Sequence, residues 1–277
     1  MTTPATIQHP NKQLWEKGDF TRIAASMRNS GDALVAGLGI TEGLQVLDVG
    51  SGDGTTALPE ARRGARVLAV DIAENLVAAG NRRAAAAGLE NLRFVQGDAA
   101  DLAGIADNSF DLTVSIFGAM FAWRPADVAA ELVRVTRPGG RIVMGNWIPG
   151  DPTLVAQILA ISSRYTPPPP EGFVSPMTWG QPNVVTERFA AAGIPAPAVT
   201  FDRDTFRFEL PEPPAALLGT FREFYGPTMN AYAAAEQSGR SADLHAELLA
   251  LFAACNTSAD PGSTVIPATY LRVTVSV

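Results

Sequence analysis

Cysteine is almost missing from this chain: Cys255 is the single one in 277 residues, which excludes an intramolecular disulfide and any multi-thiol zinc site. Basic charge is also in deficit, with 21 Lys+Arg against 28 Asp+Glu and a net charge of −7. A nucleic-acid surface needs a basic stripe to neutralise phosphates, so no nucleic-acid partner is expected. The longest apolar stretch, Ile116 to Trp123, falls far below the ~18 residues that suggest a membrane span. Met1-Thr2-Thr3-Pro4 has neither the basic patch nor the apolar core of a secretion signal, so the expectation is a soluble, cytoplasmic protein. No fixed-period repeat is visible, which removes solenoids and propellers. Against these absences stand 47% hydrophobic and 18% charged residues, enough apolar side chain for a sizeable core.

Between residues 44 and 148, short apolar runs alternate with helical stretches. Strands are predicted at Leu44–Val49, Arg66–Asp71, Leu92–Val95, Phe110–Ser115 and Arg141–Met144. Helices are predicted at Thr55–Arg63, at Ala73–Ala87 closed by Gly88, and from Pro125 to Arg137, ended by Pro138-Gly139-Gly140. Continuous β-rich apolar runs separated by helices indicate a parallel sheet covered on both faces. The flanks differ: residues 1–40 read as helical, Asp151 to Arg164 as a helix, Pro167–Pro170 as an extended loop, and Gln181–Ala192 as a helix. Val199–Leu210 alternates like a strand with a turn or bulge near Asp202–Asp204, residues 213–256 are helical, and Tyr270–Val275 closes as a strand. The expected architecture is α/β: a Rossmann-like, doubly wound, mostly parallel seven-stranded sheet with helical lid insertions, its sixth and seventh strands pairing antiparallel. In domain terms, 1–40 is an N-terminal lid, 41–150 the ligand-binding core, 151–180 a lid segment, and 181–277 the rest of the core with an insertion at about 213–256.

The most informative stretch is Asp48-Val49-Gly50-Ser51-Gly52-Asp53-Gly54, between the first strand and the first helix of the alternating region. A doubly wound sheet builds its nucleotide site there, because glycines permit the tight turn and close backbone approach to a ligand. The helix after the turn is expected to offer free N–H donors to an anionic group. Asp71 stands 23 residues after Asp48, where a carboxylate can accept from both ribose hydroxyls. Asp98, in Gly97-Asp98-Ala99, is placed to accept from an adenine amino group. A dinucleotide turn would read G-x-G-x-x-G, but the sixth position from Gly50 is Thr55.

The D-x-G-x-G-x-G spacing, together with Asp71, Gly97-Asp98-Ala99 and Arg137-Pro138-Gly139-Gly140, resembles class I S-adenosylmethionine-dependent methyltransferases. Ser109-Phe110-Asp111, Phe117–Phe121, Trp147-Ile148-Pro149 and Ser175–Gly180 resemble the ubiE/COQ5-like (methyltransferase type 11) family, over roughly residues 12–195. The resemblance implies S-adenosyl-L-methionine as cofactor. It implies that Gly50, Ser51 and Gly52 line its methionine end, that Asp71 holds the ribose with Ile72 against the adenine, and that Asp98 and Ala99 meet the adenine edge. Ser115 and Phe117 would lie beside the reacting methyl, and Asp48 would order the glycine loop or the cofactor ammonium. Trp123-Arg124 before Pro125 departs from the shorter link the family pattern leads one to expect.

Catalytic residues are not identified. His9 and His245 lie outside the motif region, Asp127 and Glu131 read as a solvated helix face, and Cys255 as a buried small apolar residue. Gly118 and Ala119 stand where a metal-dependent catechol methyltransferase would carry carboxylates, so no metal is expected. The expected function is metal-independent methyl transfer to a small, apolar or aromatic acceptor, driven mainly by proximity and orientation. The alternatives are a non-catalytic S-adenosylmethionine-binding module and an NAD-dependent oxidoreductase. Trp15, Phe20, Met120, Phe121, Trp147, Tyr165, Trp179 and Tyr225 are the candidate wall of the acceptor pocket, with Trp15-x-x-Gly18-Asp19-Phe20 as a gate. Leu244, Leu248, Leu251 and Phe252 form a stripe suited equally to core packing, pocket lining or a homodimer contact.

Overall fold

The structure, a computed structural model, describes residues 10–277, so His9 lies outside the described residues. Three short helices lead in: α1 (Pro10–Glu16), α2 (Phe20–Ala25) and α3 (Arg28–Ala36). The alternating region then gives β1 (Gln45–Val49), α4 (Ala57–Arg62), β2 (Arg66–Asp71), α5 (Glu74–Ala86), β3 (Leu92–Gln96), β4 (Phe110–Ile116), α6 (Pro125–Val135) and β5 (Thr136–Trp147). It is followed by α7 (Leu154–Ser162), α8 (Pro182–Ala191), β6 (Val199–Leu210), α9 (Pro214–Phe224), α10 (Gly226–Gln237), α11 (Ser241–Cys255) and β7 (Thr264–Ser276).

The strands form one sheet in the order β3-β2-β1-β4-β5-β7-β6. Strands β1 to β5 are parallel, and β7 runs antiparallel to both β5 and β6. This is the doubly wound, mostly parallel sheet the sequence predicts. Both faces are buried: Leu47 and Val49 of β1 belong to one apolar cluster, and Val46 to the other, with Ala57, Leu58 and Ala61 of α4. The strand order reverses between β1 and β4, the position where open α/β sheets leave a crevice beyond their carboxyl ends. Among the described residues no helix is long and apolar enough to cross a membrane.

Three local expectations are corrected. The helix from Pro125 ends at Val135 rather than Arg137, and β5 runs through Pro138-Gly139-Gly140. Thr136 explains the switch: its hydroxyl bonds Leu132 O and Thr113 Oγ1, both at 2.7 Å, which ties the chain to β4 one turn early. There is no bulge at Asp202–Asp204; β6 pairs with β7 residue by residue from Val199 to Leu210. Asp202 and Asp204 are accommodated there by Arg272, at 3.3 and 3.2 Å. The last strand starts at Thr264, six residues before the expected Tyr270, and contains Pro267. That proline lies outside the stretch of β7 paired with β5, so its missing N–H costs no ladder bond on that side.

Candidate functional site

A cleft opens at the carboxyl ends of β1, β2 and β4. Its floor is the glycine turn, Gly50 to Asp53 with Thr55 and Thr56; one wall is Asp71, Ile72, Leu76, Gly97, Asp98 and Ala99. The opposite wall is Ile116, Phe117, Gly118, Ala119, Phe121 and Ala122, and the cover is Asn11, Trp15, Phe20, Met27 and Phe206. Gly50 and Gly118 explain how two turns meet at this point. Gly50 has φ +68°, and a Cβ on Gly118 would lie 2.3 Å from the Gly50 carbonyl oxygen. Only a residue without a side chain fits either place.

The turn is held from below. The Gly50 and Ser51 N–H groups donate to Val70 O at 2.8 and 3.1 Å, and Gly52 N–H donates to Asp71 Oδ2 at 2.8 Å. These three donors are therefore spent on folding the loop, and α4 begins only at Ala57. Asp71 also accepts from Ala73 N–H through Oδ1, at 2.9 Å. Each carboxylate oxygen keeps further acceptor capacity for a ligand hydroxyl. Burial pushes the Asp71 carboxyl up to about 6, while the N–H groups of Ala73 and Gly52 pull it back down. Asp53 is gripped by Arg28 at 2.5 Å and Arg83 at 3.5 Å, and its Oδ1, like Ser51 Oγ, is buried without a protein partner.

Of the other residues singled out, Ile72, Asp98, Ala99 and Phe117 line the cleft; Asp48 and Ser115 do not. Ser115 donates to Val49 O at 2.7 Å and accepts from Ala119 N–H at 2.9 Å, which pins β4 to β1 and to the turn that follows. Asp48 lies behind the loop, accepting from Thr56 Oγ1 at 2.5 Å. Phe117 takes φ +59°, uncommon for a residue with a side chain. Its ring is stacked on Trp147 at 3.7 Å and meets Phe206 and Tyr270 edge-on at 5.1 and 5.2 Å.

The aromatic candidates divide. Trp15, Phe20 and Phe121 line the cleft, with Trp15 5.6 Å from the Phe20 ring and 5.0 Å from Phe121. Tyr225 is packed behind Trp15 and Phe20, and Trp147 behind Phe117. Met120 and Trp179 are fully buried in the core, the latter beneath Arg188. Tyr165 is buried in the core away from the cleft lining, its hydroxyl donating to Glu247 at 2.5 Å. Trp123 is 58% exposed, with Arg124 over its ring. His245 meets the Tyr232 hydroxyl at 2.9 Å, away from the cleft lining. Asp127 pairs with Arg124, and Glu131 holds Arg134 and the Leu102 N–H.

Residues 151–180 and 213–256 contribute nothing to the lining; the cover comes from the amino-terminal helices and β6. Leu244, Leu248 and Phe252 are wholly buried within the chain, where α11 packs on α7 and α9. A Cβ on Gly180 would lie 2.1 Å from Trp147 O, so the chain there packs directly on the end of β5. Sequence reasoning missed Asn11, Met27, Thr55, Thr56 and Phe206. Thr55 and Thr56 directly follow the glycine motif and could have been found by extending it; the others arrive by tertiary packing alone.

A methyltransferase-domain family profile matches residues 47–144. An uncharacterized protein of Mycobacterium tuberculosis (strain ATCC 25618 / H37Rv) is 35% identical over 230 residues, 83% of this chain and 80% of that one. A demethylmenaquinone methyltransferase of Renibacterium salmoninarum is 37% identical over 134 residues, 47% of this chain and 54% of that protein. Among solved structures, the YcgJ protein of Bacillus subtilis shares the fold with a TM-score of 0.56 at 18% identity, covering 89% of this chain and 97% of that one.

Proposed function

The chain belongs to the S-adenosylmethionine-dependent methyltransferases of the methyltransferase type 11 family, and from that premise we propose that its acceptor is a small apolar or aromatic molecule held at the aromatic end of the cleft. The residues fit the cofactor. Asp71 has acceptor capacity left for ribose hydroxyls, Ser51 Oγ and Asp53 Oδ1 are buried polar atoms lacking a partner, and the Gly50–Gly118 contact leaves a cradle that a Cβ would fill. In this reading Gly50, Ser51 and Gly52 border the methionine end, Asp71 holds the ribose, and Ile72, Asp98 and Ala99 take the adenine. When bound, S-adenosylmethionine supplies a methyl group on a sulfonium, already an activated leaving group.

The observation that carries the acceptor class is the polarity split of the cleft. Its titratable lining residues are Asp53, Asp71 and Asp98, on the glycine turn and the wall beside it, while the cover and the opposite wall present Trp15, Phe20, Met27, Phe117, Phe121 and Phe206. Such a surface excludes water and aligns an apolar molecule without removing a proton from it. Orientation alone supplies ~7–11 kcal/mol of barrier lowering, so a dedicated base is not required. The gate is α1, which spans the opening: Asn11 donates to Phe121 O, and Glu16 accepts from the Glu74 N–H at 3.0 Å. Gly118 and Ala119 put no carboxylate in the segment after β4, where a metal-dependent catechol methyltransferase would carry them, which supports a metal-independent reaction. Turnover to S-adenosylhomocysteine across a panel of polar and apolar metabolites, with product masses, tests the reading. Methylation confined to apolar or aromatic compounds is the expected result; turnover of strongly charged acceptors alone would overturn it.

A further inference from the structure

Glu60 is the one carboxyl in this region that neither the fold nor the cleft explains. It lies in α4 without solvent exposure, and neither of its carboxyl oxygens has a hydrogen-bond partner. Glu60 stands one helical turn beyond Thr56, its N–H donating to Thr56 O at 3.1 Å, so the two side chains share a face. The Thr56 hydroxyl on that face donates to Asp48 Oδ2 at 2.5 Å, while Asp48 Oδ1 is buried and unpartnered. Three orphaned carboxyl oxygens thus belong to two buried acids on the same side of β1. Two ionised carboxylates there would be acceptors only, each desolvated and repelled by the other. A single retained proton resolves both problems, because it turns one acid into a donor for the other.

We propose that Glu60 is a positioning residue: it keeps its proton and donates it in a hydrogen bond to Asp48 Oδ1, holding Asp48 as the single negative charge of this pair behind the glycine turn. That charge favours the cationic methionine end of the cofactor, so this part rests on the functional reading above. The charges that act on the pair make a second ionised carboxyl costly, which favours one retained proton. Asp48 is the charge that acts on Glu60, and Asp71 at the end of β2 acts on Asp48. Asp53, which acts on Asp71, is itself neutralised by Arg28 and Arg83. Burial pushes Glu60 well above the ordinary glutamate range and Asp48 up to about 7.

The first test needs no cofactor. In carbon-13 spectra of protein labelled at its glutamate carboxyls, one resonance stays at the protonated position while the other glutamates ionise, and it disappears in Glu60→Gln. Titration of that resonance near the ordinary value of about 4.3 would overturn the proposal. The second test is cofactor affinity by calorimetry as a function of pH. Affinity in the wild type rises with pH as Asp48, whose ionisation burial delays, takes up its charge. Glu60→Gln, whose amide still donates, keeps the midpoint of that rise. Glu60→Leu cannot donate, so its midpoint moves up by about one pH unit and binding weakens about tenfold below the wild-type midpoint, recovering at higher pH. An equal loss at every pH is the signature of a packing role and sinks the positioning assignment. Should Glu60→Leu not fold, the carbon-13 titration and Glu60→Gln decide. A protonated Glu60 in a protein that binds no cofactor would overturn the cofactor reading while leaving the Glu60–Asp48 pair supported.

Discussion

The two ends of this molecule are built by different rules. On the β1–β4 side, backbone and short polar side chains do the work: the glycine turn is folded by N–H groups donating to Val70 O and Asp71, and two glycines touch across the cleft. On the β6–β7 side, helices α7, α9, α10 and α11 are held by bulk, through side chains such as Leu217, Leu244, Leu248 and Phe252 that are entirely buried. The first construction fixes atoms to tenths of an ångström and tolerates little substitution. The second tolerates shape changes at a graded loss of stability. The contrast predicts that mutations on one side are read as binding defects and on the other as stability defects.

The sharpest way to break the comparison is Gly118→Val. Its new side chain collides with backbone rather than a movable side chain, so cofactor binding is expected to vanish in calorimetry while circular dichroism reports a folded protein. Binding within a few-fold of wild type would mean the two turns can separate. On the helical side, Leu248→Ala should cost about 2–5 kcal/mol in denaturant unfolding. Its cofactor affinity, measured under folding conditions, should stay within about twofold, since α11 is absent from the lining. Asp71→Ala is expected to weaken binding about 10- to 150-fold, equivalent to the roughly 1.5–3 kcal/mol of hydrogen bonds to a charged group. Unchanged affinity in the folded variant would remove Asp71 from the ribose.

Smaller effects sharpen the same contrast. Amide exchange in residues 10–30 should slow when S-adenosylhomocysteine is added, because α1 and Phe20 cover the cleft. Residues 165–180 and 213–256 should exchange at unchanged rates. Equal protection in all three segments would show that the helical side closes as well. The smallest effect of all is expected from exhaustive chelation, which should leave methyl transfer unaltered. A rate lost to chelator and restored by one divalent ion would refute the metal-independent reading.

Sequence legibility follows the same division. The glycine turn, Asp71 and Asp98 were readable because each sits at a strand end whose position a short apolar run announces. Nothing in the neighbourhood of Phe206 announces it as cleft lining: it reaches the site by strand pairing with a segment about 60 residues away. Met27 and Asn11 arrive by helix packing in the same way. Trp147 and Trp179 looked like pocket residues by type, yet each is claimed by a neighbouring ring, Phe117 in one case and Phe189 in the other. The early start of β5 turned on one Thr136 hydroxyl that bonds both helix and strand, a choice that local propensity cannot make.

The contact between Gly50 and Gly118 also bears on how such an enzyme can be altered. The two positions lie 68 residues apart in sequence, yet they spell one structural word. A combinatorial library that randomises the glycine turn and the segment after β4 separately will discard most members for a clash that neither half reveals. Variation in Phe206 or Met27, by contrast, reshapes the wall of the cleft without touching that junction. Retargeting this scaffold to a new acceptor is therefore a task for the amino-terminal helices and the sheet's far edge, with the paired glycines left as written.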